Sequence, residues 1–337
     1  MDFLNALVAL SNFVLVPAIA YGSQLALGAL GVTLIYGILR FSNFAHGDTM
    51  AFGTMGVILF TWWLQGLGMD GIGPLPTALL ALPFGIAVCA ALVLATDRVV
   101  YRFYRAQRVT PVILVIVSMG VMFVYNGLTR FVIGPDDQRF ADGARFIISA
   151  RDFRDMTGLD EGLAIRTSQG ITVVTAIVVV AALFWFLNHT RTGKSMRAYS
   201  DNEDLALLSG INPERVVMVT WLIVAALATV AGTLYGLDKS FKPFTYFQLL
   251  LPIFAAAIVG GLGSPVGAIA GGYIIAFSEV MITYAWKKVV SYLLPEAWEP
   301  EGLVQLLVVD YKFAVSFVIL VIVLLFRPTG LFRGKAV

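Results

Sequence analysis

A polar stretch separates two long apolar runs near the start of the chain. Residues 40–53 read RFSNFAHGDTMAFG, in segments that otherwise suit a membrane. Polar groups in hydrocarbon are costly unless they face protein or water, so such a break marks a candidate solute path. We therefore take Asn43, His46, Gly47 and Asp48 as candidate path or gate residues. A polar turn between two spans is the alternative interpretation of the same residues.

The spacing within this stretch limits its chemistry. His46 and Asp48 are two residues apart and so do not share a helical face, which argues against a metal site or a proton pair. Ser42 or Asn43 can cap one helix and Asp48 a second, while Gly47 allows backbone geometry that other residues resist.

A second candidate break occurs in the other half of the chain, where residues 260–267 read GGLGSPVG. We take Gly261 and Gly263 as further candidate path residues, and Ser264 as the cap of a helix that begins at Pro265. Small residues recur every four positions from Gly263, which predicts a close helix–helix contact. One glycine-interrupted segment in each half of a chain is typical of transporter cores.

A third stretch, residues 194–212, reads KSMRAYSDNEDLALLSGIN and predicts a short helix between two spans. Ser200 and Glu203 fit a capping box, Asp201 and Glu203 suit the positive end of the helix dipole, and Gly210 suits its end. A helix this short is marginal alone in water, so its leucines, Leu205 and Leu208 among them, require a packing surface. That surface is either this protein's own membrane base or a cytosolic partner.

Composition predicts the class of protein that carries these stretches. Of 337 residues, 59% are hydrophobic and 13% are charged, against roughly 25% charged in soluble domains. We therefore predict an all-α, polytopic transmembrane helical bundle with broken or re-entrant helices, formed as one domain over residues 1–337. The net charge of +2 gives no support for nucleic-acid binding.

Apolar runs predict eight to nine spans. The predicted spans are residues 20–39, 49–66, 76–96, 111–133, 169–188, 215–237, 247–263, 265–286 and 308–326. We interpret residues 3–16 as a separate interfacial or tucked-in helix set apart by Pro17 and Gly22, with a further span as the alternative.

The distribution of charge orients the chain. An outside start places most arginine-rich loops inside, although four lysines of the loops near residues 240 and 288 fall outside and oppose that tendency. Residues 134–168 then form a long extracytoplasmic loop. Glu279 is predicted to lie mid-span, where an ionisable side chain is a functional candidate.

The sequence gives no support for an enzyme. It contains neither HExxH nor GxSxG, and the Gly193-Lys194-Ser195 run lacks the earlier glycine of a P-loop, because that position is Asn188. We expect no catalytic residues, no metal and no cofactor.

Four ordered runs resemble permease subunits of branched-chain amino acid ABC importers, most closely the first of the two permease paralogues. The runs are GVTLIYGILRFSNFAHGDTMAFG from Gly31, TRTGKSMRAYSDNEDLALLSGIN from Thr190, GGLGSPVGAIAGG from Gly260 and RPTGLF from Arg327. The resemblance implies a type II-like ABC importer permease in a bacterial inner membrane. Its implied solutes are branched-chain amino acids or related small polar molecules.

The resemblance also implies partners and roles. It implies a second permease subunit in a heterodimer, two ATP-binding cassette subunits that hydrolyse ATP, and a periplasmic substrate-binding protein. Residues 200–209 become the coupling helix that contacts the ATPase, with Ser200, Asp201, Glu203, Leu205, Leu208 and Gly210 as coupling residues. This chain departs from the family at Asp204-Leu205-Ala206, where two alanines are usual, and in its longer segments 134–168 and 287–302. A stand-alone secondary transporter or channel that uses Glu279 and Asp48 is the alternative function.

Overall fold

The computed structural model describes residues 2–69, 75–140, 146–293, 302 and 304–332, and this part of the chain is largely helical. The helices of its first half are α1 (Asp2–Leu39), α2 (His46–Gly66), α3 (Thr77–Ala106), α4 (Pro111–Ile133), α5 (Ala150–Thr157) and α6 (Thr167–His189). Those of its second half are α7 (Arg191–Asp201), α8 (Glu203–Leu208), α9 (Pro213–Lys239), α10 (Pro243–Gly260), α11 (Pro265–Thr283), α12 (Lys287–Leu293) and α13 (Lys312–Phe326). Two short strands, β1 (Phe146–Ile148) and β2 (Ile165–Arg166), pair antiparallel with Phe146 opposite Arg166.

The helix lengths agree with the predicted polytopic bundle. Within the described residues, seven helices are long and apolar enough to cross a membrane: α1, α3, α4, α6, α9, α10 and α11. The more polar α2 packs against α3, α4, α9 and α10, and the shorter α13 packs against α10 and α11. The count roughly fits the predicted eight to nine spans. The chain is therefore an all-α, multi-pass membrane protein.

The prediction of a separate N-terminal helix is wrong, because α1 runs without interruption from Asp2 to Leu39. A π-helical turn at Ser11–Leu15 precedes Pro17, and the wider turn accommodates a proline that would otherwise interrupt the helix. At 1.5 Å per residue, the 38 residues extend about 57 Å, well beyond the ~30 Å of bilayer hydrocarbon. The N-terminal part of α1 therefore extends beyond the hydrocarbon, and there its Ala6 and Ala9 pack against Val289 of α12.

Ion pairs and hydrogen bonds identify the two ends of the bundle. At one end, which we call the basic end, Arg102 pairs with Glu214 at 3.1 Å. At the other, which we call the loop end, Lys242 pairs with Asp137 at 3.1 Å and the Asn5 amide donates to Asp160 at 3.1 Å. The helix α9 connects the two ends, because its first turn contains Glu214 and it ends at Lys239, three residues before Lys242.

The lysines that oppose the expected charge distribution all lie at the loop end. Lys239 lies 3.5 Å from Asp238, and Lys288 lies 2.8 Å from Glu161, while Lys242 is paired as above. Three of the four are thus neutralised by nearby carboxylates. The loop end therefore carries less net positive charge than its lysines suggest.

The second glycine-rich stretch forms a tight helix–helix contact, as predicted. The Ser264 hydroxyl accepts a hydrogen bond from the Gly267 amide at 3.1 Å, which caps α11 where Pro265 begins it. A β-carbon on Gly271 would overlap the Ala256 carbonyl, and one on Gly272 would lie 2.7 Å from the Ala26 backbone. The small residues therefore hold α11 against α10 and α1.

Candidate functional site

The polar stretch at residues 40–53 folds as a loop that returns into the bundle. The first helix ends at Leu39, yet the imidazole of His46 lies against Gly31, which is eight residues earlier on α1. Eight helical residues correspond to about 12 Å, so α2 begins well inside the bundle rather than at the basic end. The Phe44 amide is satisfied at this depth by the hydroxyl of Ser118 on α4, at 3.0 Å. We call residues 40–46, which turn back into the bundle before α2 continues toward the loop end, the re-entrant segment.

The boundaries and caps of this segment differ from the prediction. The helix α2 begins at His46 rather than at residue 49, and its N-cap position is Ala45, without a side-chain cap. The Asn43 side chain instead accepts from the Ala45 amide at 3.1 Å, just ahead of the helix. Asp48 lies in the first turn and is not a cap, because its carboxylate is engaged by another helix.

Two of the predicted path residues, His46 and Asp48, lie in the first turn of α2 and contact different helices. His46 packs on α1 and is wholly buried. Asp48 is 1% exposed, and its Oδ1 accepts from the amide of Asn126 on α4 at 2.7 Å. Its other oxygen, Oδ2, has no hydrogen-bond partner among the described residues. An incompletely satisfied carboxylate inside a membrane bundle is costly and is a feature of functional sites.

A glycine is needed at position 47 because of close packing and not because of an unusual backbone conformation. It lies within α2 and is not among the described residues with positive φ. A β-carbon on it would come 2.6 Å from the carbonyl of Tyr246 on α10. The expectation that Gly47 serves a special backbone geometry is therefore wrong.

Aromatic residues of α3 and α9 hold the loop that precedes α2. The Tyr101 hydroxyl donates to the Asn43 side chain at 3.3 Å, and the Tyr101 ring lies 5.5 Å from that of Phe41. On its other side Tyr101 stacks on Trp221 at 5.4 Å, and the Trp221 indole donates to Asp97 at 2.7 Å. The loop is therefore fixed to two long helices.

The other two predicted path residues, Gly261 and Gly263, lie in the turn after α10 and not beside α2. Gly261 and Gly263 have φ of 109° and 85°, so they form the left-handed turn between α10 and α11. The C-terminal segment covers Gly261, because the Leu331 amide donates to Val259 at 2.8 Å and a β-carbon on Gly330 would lie 2.5 Å from Gly261. Gly47 contacts Tyr246 on α10. Gly261 follows Tyr246 by fifteen residues, which correspond to about 22 Å along a helix. The structure does not bring the two glycine breaks together.

The predicted short helix at the basic end is present but is capped differently. The helix α7 continues through Ser200 to Asp201, and α8 begins afresh at Glu203. Its cap is Asn202, whose side chain accepts from the Leu205 amide at 3.0 Å. The Ser200–Glu203 capping box is therefore wrong, because the Ser200 hydroxyl is used elsewhere.

Of the other predicted residues, Glu203 lies in the first turn of α8 as expected, whereas Asp201 is the last residue of α7 and not part of α8. Gly210 takes φ +81° just after α8 ends at Leu208, and Glu203 accepts from the Tyr199 hydroxyl at 2.7 Å. Burial and this contact with Glu203 raise the pKa of Tyr199. Leu205 is 60% exposed and Leu208 is 85% exposed. The helix presents apolar side chains away from its own protein.

Arg40 is a residue of this region that the sequence analysis missed. Its guanidinium donates to the Ser200 carbonyl at 2.5 Å, and the Ser200 hydroxyl donates back to the Gly37 carbonyl at 3.0 Å. The sequence did mark this residue, because Arg40 is the first basic residue of the chain and begins the polar stretch. Its partner is 160 residues away, which no local pattern indicates.

Glu279 is 1% exposed and joins three helices near the loop end. It accepts a short hydrogen bond from Ser316 on α13, and Lys312 and Tyr21 are its electrostatic neighbours. The Lys312 ammonium lies 5.1 Å from the ring centroid of Tyr21 on α1. Within the described part of the chain no cluster of three or more His, Cys, Asp or Glu could hold a metal ion.

Comparison with known proteins agrees with this architecture. The sequence model of a family described as the permease component of the branched-chain amino acid transport system matches residues 14–324. The high-affinity branched-chain amino acid transport system permease protein LivH of Salmonella typhimurium is 29% identical over 321 residues, covering 93% of this chain and 92% of that protein. The corresponding protein BraD of Pseudomonas aeruginosa is 30% identical over 319 residues and 94% of each chain. The ribose import permease protein RbsC of Escherichia coli is 26% identical over 283 residues, 79% of this chain and 83% of that one.

Proposed function

The chain belongs to the family of branched-chain amino acid transport permease components, and we propose that it forms, with a second permease subunit, the membrane path of an ATP-driven importer. In this proposal the protein resides in a bacterial inner membrane and catalyses no reaction itself. ATP is hydrolysed by two separate ATP-binding cassette subunits. A periplasmic substrate-binding protein delivers the solute.

The observation that carries the proposal is the exposed apolar face of α8. A six-residue helix is too short to be stable alone in water, yet Leu205 and Leu208 are directed away from the protein. Exposed leucines on a helix at a polar surface are typical of a protein-interaction site. An ATPase subunit that accepts this helix in an apolar cleft accounts for both the exposure and the placement.

The charge distribution supports the orientation of the complex. The basic end carries α7, α8 and the arginines around residue 102, and basic segments favour the cytoplasmic side. We therefore assign α8 to the cytoplasm, where ATPase subunits are found. The loop end, with α5 and the 134–168 segment, then faces the binding protein.

The re-entrant segment supports a path through the bundle. A helix that begins inside a membrane protein directs its N-terminal partial positive charge toward that interior. In our proposal Asn43, His46, Gly47 and Asp48 form the gate on this chain. Gly261 and Gly263 form a hinge-like turn at the end of α10, and we place them beside the path rather than within the gate.

The solute is proposed from the relatives and not from the site. LivH and BraD are described as branched-chain amino acid permeases, and RbsC as a ribose permease. We propose branched-chain amino acids as the solutes, with related small polar amino acids as the nearest competitors. Uptake of radiolabelled leucine by vesicles containing the complete complex, challenged with isoleucine, valine, urea and ribose, tests this assignment.

The subunit assignment is tested by one matched pair of variants. We expect Leu208→Asp to abolish recovery of the ATPase subunits when the permease is purified in mild detergent, because it places a charge in an apolar contact. Leu306→Asp introduces the same charge at a leucine that is 77% exposed, in the segment that precedes α13, and should leave recovery unchanged. Recovery of no ATPase by the unmodified chain, together with ion-driven uptake by the chain alone, would favour the secondary transporter.

A further inference from the structure

Two hydrogen bonds of opposite direction join the end of α1 to the end of α7. The Arg40 guanidinium donates to the Ser200 carbonyl at 2.5 Å, and the Ser200 hydroxyl donates to the Gly37 carbonyl at 3.0 Å. The helices approach closely here, since a β-carbon on Gly37 would lie 3.3 Å from Ser200 Oγ. We call this pair of bonds the Arg40–Ser200 clasp.

Arg40 is held in a conformation that suits this task. Its φ of 57° and ψ of 28° are left-handed, which a non-glycine residue adopts at some cost. The conformation ends α1 and turns the chain back toward His46. Residues strained in this way cluster at functional sites and switch regions of proteins.

The clasp has the proposed coupling helix on one side. Ser200 is the penultimate residue of α7, and Asn202, two residues later, caps α8. The Tyr199 hydroxyl also donates to Glu203, the first residue of α8, at 2.7 Å. A displacement of α8 is therefore passed to Ser200 through a short, hydrogen-bonded connection.

The clasp has the re-entrant segment on its other side. Arg40 is followed directly by Phe41 and Asn43, both of which contact Tyr101. Tyr101 belongs to α3 and stacks on Trp221 of α9, so this second attachment is to the long helices. The residues between the two attachments are the ones that must bend when α7 moves relative to α3.

We propose that Arg40 and Ser200 are the positioning residues that transmit movement of α8 to the segment leading to His46. The inference rests on the proposed function, because it takes α8 as the contact with the ATPase. It adds a specific physical connection between that contact and the gate. Neither residue touches solute in this scheme, and both act through residues 41–45.

The experiment measures movement of the segment directly and needs no knowledge of the solute. Cys89 is the single cysteine of the chain, so Cys89→Ala with Ser42→Cys gives one reporter thiol at a half-buried site beside the clasp. The complete complex in nanodiscs is treated with a water-soluble maleimide, with and without ATP. We expect ATP to change the rate of modification by about fivefold or more, the lower end of typical allosteric couplings.

The clasp variants are Ser200→Ala, Arg40→Met, which has no hydrogen-bond donor, and the two combined. We expect each to reduce the ATP response to less than about 1.5-fold while the ATPase remains bound and active. The double variant should be no worse than either single variant, because both remove one connection. Ser200→Thr and Arg40→Lys keep a donor and should restore part of the response.

Two substitutions on α7 serve as controls. The Ser195 hydroxyl donates to Arg191 within its own helix at 3.0 Å, and Arg197 is exposed. Ser195→Ala and Arg197→Met should therefore keep the full response. A clasp variant that folds, retains its ATPase and responds to ATP like these controls would overturn the proposal.

Failure of the proposed function has a different signature. In that case the unmodified chain shows no ATP response and its purified complex contains no ATPase, so the clasp proposal falls with it. If instead the ATPase is present and the reporter responds in every clasp variant, the subunit assignment stands and only the clasp is wrong. Melting temperatures of all variants exclude loss of fold as the cause of a lost response.

Discussion

The imidazole of His46 lies directly against Gly31, so that a β-carbon on residue 31 would come within 2.5 Å of His46 Cε1. This contact places the start of α2 beside the middle of α1 and makes the segment between them re-entrant. A glycine on one helix thus sets the depth at which another begins.

We expect Gly31→Ala to displace His46 and to destabilise the protein by about 1–3 kcal/mol, the usual cost of overpacking. Uptake should fall more than stability alone explains, because the start of α2 moves. The control is Gly120→Ala on α4, where no atom lies within 4 Å of the new β-carbon. Melting temperature in detergent and leucine uptake measure the two effects. Equal behaviour of the two variants would contradict the proposed depth of α2.

Asp48→Asn separates the charge of this residue from its hydrogen bond. The variant keeps an oxygen that accepts from Asn126, so the fold should be retained. We expect loss of the charge to reduce uptake about tenfold, which corresponds to the difference of about 1.4 kcal/mol between a charged and a neutral hydrogen bond. Asp48→Leu should in addition lower the free energy of unfolding by about 1–3 kcal/mol, since Asn126 loses its acceptor. Normal uptake by Asp48→Asn would assign Asp48 to packing.

Glu203→Lys should uncouple ATP hydrolysis from uptake. The change reverses the charge at the positive end of the α8 dipole and removes the acceptor for the Tyr199 hydroxyl. Glu203→Gln retains an acceptor and should couple nearly normally. The measurement is solute imported per ATP hydrolysed in proteoliposomes, and unchanged uptake by the lysine variant would refute the coupling role of α8.

Glu279, which is buried, and Lys312, which is half-buried, should be energetically coupled. We expect Glu279→Gln to cost about 2 kcal/mol, since it leaves the Lys312 ammonium without its countercharge, and Lys312→Met to cost a similar amount. The double variant should cost less than the sum of the two. Lys242→Met breaks an exposed pair with Asp137 and should cost under about 1 kcal/mol. Additive melting shifts for Glu279 and Lys312 would show that the two residues do not interact.

Much of the fold was predictable, because hydrophobic runs of membrane length have few alternatives. The predicted span 111–133 agrees with α4 at both ends, and the Ser264 cap was correctly placed. Both depend on local features, namely the length of an apolar run and a serine before a proline. The N-terminal boundary was wrong at Pro17 because a π-helical turn, which no sequence pattern signals, absorbed the proline.

The candidate site was predictable in composition but not in arrangement. Sequence identified the polar stretch and the short helix, since both stand out against an apolar chain. It assigned the cap of α8 to Ser200, while Asn202 performs that role and Ser200 bonds to Gly37. Either residue satisfies the local preference for a cap, and only the approach of α1 decides between them.

The sequence by itself determined that this is a membrane bundle of one family, with two glycine-rich breaks and a leucine-bearing helix at a basic surface. These properties follow from composition and short-range preferences, which each segment carries independently. The tertiary structure decided the depth of α2, the separation of the two breaks and the clasp between Arg40 and Ser200. Such relationships join residues up to 160 positions apart, and they exist only once packing brings the helices together.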